Sequence, residues 1–370
     1  PSTGSFPIKG ELPKELEFGE VEGIVVDPNN NEPISGVRIS NLLQKLIKNY
    51  YPGNQLLYEK PIENHQKPFL RPLPLAGKST SLKINQVNKK LKLSRENGVI
   101  LTCPDSICWL ANIRGYDIPN SPLMNCFAIL YLNKLCIYTT KVIYKDSNVT
   151  LKKSVTLKHF DKFFSDIKKL KKVFFEPTTT PYIVYKKILV QKKKYEHIKN
   201  PITLLKALKN PTEIKGLIRS HQKDGIALTR FLKWFKNTKT VELDEISLVN
   251  KLLNIRKAEP SFFYNSFDTI SATGSNGAIT HYRVSDQSNK KIETSKLVLV
   301  DSGGQYLEGT TDVTRTIIKG KPSSQQKFLY TKVLQGLICL SKLKWPKGRT
   351  GKELDPIARY FLWEYGLDYD

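Results

Sequence analysis

The spacing of apolar and polar residues changes several times along the chain. Residues 80–92 read as a helix, and residues 98–102 (Gly-Val-Ile-Leu-Thr) are a short apolar run that predicts a buried strand. A short helix is expected over 105–112, and strands over 127–132 and 135–139 around a turn at Asn133 and Lys134. A helix over 155–171 and a strand over 172–175 follow. Helices alternating with short apolar strands predict an α/β layer domain, ending near residues 206–210.

Beyond that point the period becomes helical for longer. Ile214, Leu217, Ile218, Ile226, Leu228, Phe231, Leu232 and Phe235 recur at close to helical spacing. They predict a long amphipathic helix with Thr212 as its cap and Asn210-Pro211 marking its entry. A second helix is expected over 244–257, then strands over 268–272, 277–281, 296–301 and 311–318, then helices over 323–342 and 351–365. Helices on an antiparallel sheet are an α+β arrangement. Ahead of residue 76 one helical stretch is expected near 39–48. The proline-dense run 67–75 reads as an extended linker, since proline biases its predecessor away from helix. The expected organisation is therefore 1–75 as an irregular or partial segment and linker, 76–208 as an α/β domain and 209–370 as an α+β domain.

Composition narrows the function classes. The chain has 370 residues, 39% apolar and 25% charged, which suits two or three globular domains rather than a disordered protein. The best apolar candidate for a span, 126–138, is broken by Asn133 and Lys134 and is shorter than the ~20 residues a membrane helix needs. Residues 1–11 lack the basic-then-apolar pattern of a secretory signal, so a cytoplasmic location is expected and no membrane partner. Cys103, Cys108, Cys126, Cys136 and Cys339 are odd in number and form no CxxC pair, as expected of reduced core thiols. The net charge of +25 could attract a polyanion. Its lysines are spread along the whole chain, only 192–194 forms a run, and no nucleic-acid-binding signature accompanies it, so no nucleic-acid partner is expected.

The candidate chemistry lies in Asp-Ser-Gly-Gly-Gln-Tyr-Leu-Glu-Gly-Thr-Thr-Asp-Val-Thr-Arg-Thr, residues 301–316. An apolar strand ends on Asp301, and the β-branched run after Gly309 predicts its return strand. A hairpin centred between Tyr306 and Leu307 sets Asp301 directly opposite Asp312, with a bulge able to shift the pairing by one. Like charges at opposed positions are destabilising, and a shared proton or a cation can compensate them. Divalent cations suit carboxylate oxygens, and two together can activate a water and polarise a carbonyl. On spacing alone, Asp301 as a turn cap and Asp312 as a solvent-facing residue fits as well.

The 301–316 stretch resembles the first metal-ligand motif of the Xaa-Pro aminopeptidase (aminopeptidase P) family. This is a branch of the pita-bread metallopeptidases that also include prolidase, methionine aminopeptidase and the non-metal creatinase. Three further stretches are similar to the family in the same order. Residues 105–119 (Asp-Ser-Ile-Cys-Trp-Leu-Ala-Asn-Ile-Arg-Gly-Tyr-Asp-Ile-Pro) look like a signature of its α/β creatinase-N-like domain. Residues 209–225 resemble the helix that opens its pita-bread catalytic domain, and residues 267–282 its strand pair ending in a substrate-facing histidine, here His281. The resemblance implies Asp301 and Asp312 as bridging ligands of two divalent metal ions, usually Mn2+. It implies His281 as a catalytic residue that contacts the peptide and passes a proton, and a substrate peptide with proline at its second position. An imidazole suits proton transfer near neutral pH, because its unperturbed pKa is ~6.5.

In the family, a histidine in a Gly-His-Gly-Val-Gly-type loop and two later glutamates complete the metal site. Residues 354–370 resemble the helix leading into that loop, and Glu308, Glu353 and Glu364 do not occupy matching positions. The expectation is a truncated product, a fragment or one half of a split enzyme, inactive alone and exposing an apolar helix face. A homodimer or a complementing C-terminal fragment would be its partner. A non-catalytic, peptidase-like binding partner is the rival reading.

Overall fold

The computed structural model describes residues 68–139 and 154–369, together with a short strand pair, β1 (Val25–Val26) and β2 (Pro33–Ile34). The helix expected near 39–48 lies outside the described residues. The chain divides into two compact units, Pro1–His65 and Gln66–Asp370, and the architecture below is that of the second.

That unit opens with β3 (Phe69–Leu70), α1 (Leu73–Ala76) and α2 (Thr80–Leu91). The proline-dense run is thus only partly extended. Pro74 sits in the first turn of α1, where a missing N–H costs nothing, and Gly77 closes the helix in a left-handed conformation (φ 69°). Then come β4 (Asn97–Leu101), α3 (Pro104–Ala111), β5 (Ile113–Arg114, paired with β3), β6 (Phe127–Tyr131), β7 (Lys134–Thr139), β8 (Val155–His159), α4 (Phe163–Lys168) and β9 (Lys172–Phe175). The segment finishes with α5 (Tyr182–Val190), β10 (Lys194–His197) and α6 (Pro201–Ala207). A mixed six-stranded sheet runs β10-β9-β4-β6-β7-β8. Successive strand residues point to opposite faces. Val99 and Leu101 therefore join one core with Ile84, Ile107 and Leu110, while Ile100 joins the other with Phe163, Ile167 and Ile188.

The single helix expected over 155–171 is instead the strand β8, a 3-10 turn (Phe160–Lys162) and α4. Val155 and Leu157 alternate toward the core, and parallel pairing with β7 (Leu135 with Val155) overrides the helical reading.

The last part begins with α7 (Pro211–Asn237). Its cap is Asn210 rather than Thr212. The Asn210 side chain accepts from the N–H groups of Thr212 and Glu213, and the Glu213 carboxylate accepts from the Asn210 N–H, a reciprocal capping box. Next follow α8 (Glu245–Lys257), β11 (Phe262–Asn265), β12 (Ile270–Thr273), β13 (Leu297–Ser302), β14 (Gly304–Tyr306) and β15 (Val313–Ile318). Antiparallel β12-β13-β15 form one sheet and β11-β14 a second pair. Leu228, Phe231 and Phe235 of α7 and Leu248 and Leu252 of α8 bury Val298 and Val300 of β13.

No strand forms over 277–281. Residues Gly274–Ala278 are a 3-10 turn. Buried Glu245 fixes it by accepting from the Thr273 N–H (2.7 Å) and from Asn276 Nδ2 (3.0 Å).

Finally α9 (Ser324–Lys342) and α10 (Gly351–Trp363) pack on each other at Gly336, where a Cβ would stand 2.1 Å from the Ala358 carbonyl oxygen. Outside this contact the pair keeps apolar side chains exposed, among them Val333 (52%), Leu337 (59%) and Ile338 (45%). Among the described residues no helix is long and apolar enough to cross a membrane.

Candidate metal centre

Along β13 the pattern alternates, with Val298, Val300 and Ser302 buried against α7 and α8, and Asp301 half-buried on the opposite face. The hairpin register differs from the expected one. Asp301 pairs with Thr314, whose hydroxyl donates to Asp301 Oδ1 (2.8 Å), and Ser302 pairs with Val313. The turn falls one residue later than expected, between Leu307 and Glu308, and Tyr306 N–H donates to the Gly309 carbonyl to close it. Gly309 lies so close to α7 that a Cβ would stand 3.0 Å from Leu217 Cδ2, which fixes the tip. Shifting the turn by one moves every partner by two. Thr311 N–H donates to the Gly304 carbonyl, so Asp312 stands across from Gly303 rather than from Asp301.

Asp301 and Asp312 are thus offset by two positions across the hairpin, near enough for the Asp301 charge to act on Asp312. Loss of hydration and then the Asp301 charge hold the Asp312 carboxyl above its ordinary pKa. Among the described residues no lysine or arginine forms an ion pair with either aspartate.

The opposite face of the hairpin is tied down by a buried ion pair. Arg256, 0% exposed, donates from Nε to Asp224 Oδ1 (2.7 Å) and from Nη2 to Oδ2 (3.0 Å). Its Nη2 also reaches Ser302 Oγ (3.1 Å), and Nη1 reaches the Gly303 carbonyl (3.3 Å). Asp224 accepts in turn from Tyr306 Oη (2.7 Å) and Thr311 Oγ1 (3.0 Å). Ser302 and Thr311 are the chain neighbours of Asp301 and Asp312, so one charge pair from α7 and α8 grips both strands directly behind the two carboxylates. Sequence reasoning missed this pair although a signal existed. Asp224 interrupts the apolar stripe of α7 one turn ahead of Leu228, and Arg256 continues the Leu248–Leu252 stripe of α8. A charge on a buried stripe demands a partner.

His281 is exposed at a left-handed turn position (φ 54°), and among the described residues no hydrogen bond or ion pair joins it to either aspartate. His221 Nδ1 lies 2.9 Å from the Leu217 carbonyl on its own helix. Glu308 is engaged by Lys223 (2.8 Å). Among the described residues no three His, Cys, Asp or Glu side chains cluster as a metal cage. The donor set is therefore two neighbouring hard-oxygen carboxylates, which fits a divalent oxygen-seeking ion in part.

The fold and this motif define the class. Residues 59–213 match the Creatinase/Prolidase N-terminal domain and residues 215–370 match Metallopeptidase family M24, so the chain carries these two domains in that order. The relatives narrow it further. The chain is 36% identical over 381 residues to a probable Xaa-Pro aminopeptidase P of Phaeosphaeria nodorum, covering 96% of this chain and 58% of the relative. It is 32% identical to a probable Xaa-Pro aminopeptidase P of Leptosphaeria maculans, covering 96% of this chain and 62% of the relative. The chain thus spans about six-tenths of the length of these curated relatives. Its structure also resembles that of the X-prolyl aminopeptidase from Caenorhabditis elegans, described as a cytosolic enzyme with a di-nuclear active site. The TM-score is 0.73 at 27% identity, over 89% of this chain and 58% of that one.

Proposed function

We propose that the chain is the greater part of a Xaa-Pro aminopeptidase, a hydrolase that releases the N-terminal residue preceding a proline. Residues 1–75 precede its creatinase-N-like module (76–208), and residues 209–370 carry the first half of the catalytic module. The observation that supports this reading most is the pair of carboxylates without a cationic partner, Asp301 and Asp312, close enough in one hairpin for one charge to act on the other. Asp301 and Asp312 would hold two divalent ions, with Mn2+ among the metals that suit carboxylate oxygens. When bound, such ions supply Lewis-acid polarisation of the scissile carbonyl. The part left to this chain is positional: Thr314 orients Asp301, and the Arg256–Asp224 pair fixes the backbone on both sides of the site. His281, exposed on its turn, is assigned the proton transfer to the peptide nitrogen.

Two aspartates do not make a dinuclear cage, so we infer that this 370-residue polypeptide is inactive alone. The remaining ligands would come from outside residues 1–370. A cytoplasmic location agrees with the cytosolic relative. Calorimetric titration with Mn2+ tests the metal assignment: wild-type chain should take up the ion, and D301N and D312N should not. Release of an N-terminal residue from a Xaa-Pro peptide by the purified chain with Mn2+ would overturn the inactivity.

A further inference from the structure

A cavity of about 440 Å³ opens between β3, the end of β5 and the tip of the β14–β15 turn. This is within the ~300–1,000 Å³ range of small-molecule sites. Much of its wall is hydrocarbon, including Phe69, Leu123 and Phe263. Two guanidinium groups, Arg71 and Arg114, also line it.

Neither arginine has a carboxylate partner among the described residues. Arg114 Nη1 donates only to the carbonyls of Cys108 (3.2 Å) and Ile113 (2.8 Å), and Arg71 Nη2 donates to the Glu308 carbonyl (2.8 Å). Arg71 Nε is buried with no hydrogen-bond partner. The two groups lie close enough to feel each other. Burial first, and then the Arg71 charge, lower the Arg114 pKa to about 10.

The acids around the cavity are committed elsewhere. Glu213 accepts from Trp109 Nε1 (3.0 Å) and the Asn210 N–H (2.9 Å), Glu308 pairs with Lys223 (2.8 Å), and Asp105 pairs with Lys206. Of these, Glu213 alone acts on both arginines, and it also faces the buried Lys83. Glu213 is therefore shared between both guanidinium groups and a lysine, and Glu308 adds only to Arg71. Half-buried like charges short of counter-charge are costly, and a planar anion that takes two guanidinium forks relieves them.

We infer that this cavity is a binding site for a small organic carboxylate, its acid group held between Arg71 and Arg114 and its apolar body laid against Phe69, Leu123 and Phe263. The site uses no metal and neither candidate ligand aspartate, and it stands whether or not the peptidase reading holds. The carboxylate could belong to a free acid or to a peptide C-terminus, since both present the same group.

Calorimetry on the whole chain with 3-phenylpropionate, 3-phenylpropionamide and N-acetyl-Gly-Phe tests it. The acid should bind with a stoichiometry of one, and the isosteric amide at least about tenfold more weakly, because the charge-assisted pairs are lost. Arg71→Met, which gives up one contact to a carbonyl, should weaken the acid to the level of the amide. Tighter binding of the peptide acid than of 3-phenylpropionate assigns a peptide C-terminus, and the reverse order assigns a free acid. Equal binding of acid and amide to the wild-type chain, or no binding of the acid at millimolar concentration, overturns the proposal.

Discussion

Arg256→Met, in α8, is the most informative single substitution for the hairpin that this arginine grips. Methionine fills much of the same volume but removes four hydrogen bonds, two to Asp224, one to Ser302 Oγ and one to the Gly303 carbonyl. The Asp224 carboxylate, 2% exposed, then keeps only the hydroxyls of Tyr306 and Thr311. Breaking a buried pair in this way costs ~3–5 kcal/mol, because a charge is left without compensation. Against a typical folding free energy of ~5–15 kcal/mol, that is a large fraction. Urea denaturation followed by circular dichroism reads it directly, as a midpoint shift at unchanged slope. The double variant Arg256→Met/Asp224→Leu should recover most of the loss, since both members of the pair are then apolar. Hydrogen exchange at the Thr311 amide, which donates to Gly304, should quicken in the single variant. A loss below ~1 kcal/mol, or a double variant no better than the single, would mean that the pair does not hold the hairpin.

Other expectations follow from the same geometry. The Asp312 carboxyl is held above the ordinary aspartate value, so the folded state keeps its proton to higher pH and is disfavoured by its ionisation. D312N should leave the urea midpoint unchanged or raised while Mn2+ uptake is lost, and uptake by the wild-type chain should fall as the pH drops through that raised value. Asp166 behaves in the opposite sense. Burial pushes its pKa up, but hydrogen bonds from Lys158, Lys169 and Tyr138 outweigh that and hold it at about 2, against 3.8 ordinarily. Its stabilisation is complete above the ordinary value and is lost as the pH falls through about 2, so D166N should cost ~2 kcal/mol at neutral pH and little in strong acid, read by urea melts at both. Helices α9 and α10, with Gly336 and Leu362 as their buried residues, should exchange amide hydrogens far faster than α7 and α8.

Much of this fold is legible in the sequence where one period dominates. The apolar run at 172–175 is β9 with the same ends, and the stripe from Ile214 to Phe235 is α7. Failures occur where partners distant in sequence decide. Residues 155–159 become a strand because β7 offers a parallel edge, and residues 274–278 become a 3-10 turn because Glu245 of α8 captures Asn276. The strands β11 and β14 are short and pair with each other across a long stretch of chain, so neither carries a pattern of its own. Asp301 and Asp312 were identifiable as residues but not in register, because contact of Gly309 with α7, absent from any local pattern, places the turn. Their support from Asp224 and Arg256 was written in the sequence as charges on apolar stripes, and only the three-dimensional pairing explains them.

A crystal of the 370-residue chain soaked in Mn2+ and measured at the manganese absorption edge tests the metal assignment most directly. An anomalous peak within ligand distance of both the Asp301 and Asp312 carboxylates, absent in a D301N crystal, is the expected result. An intact hairpin with no peak there, or with the two carboxylates projecting from opposite faces, would contradict it.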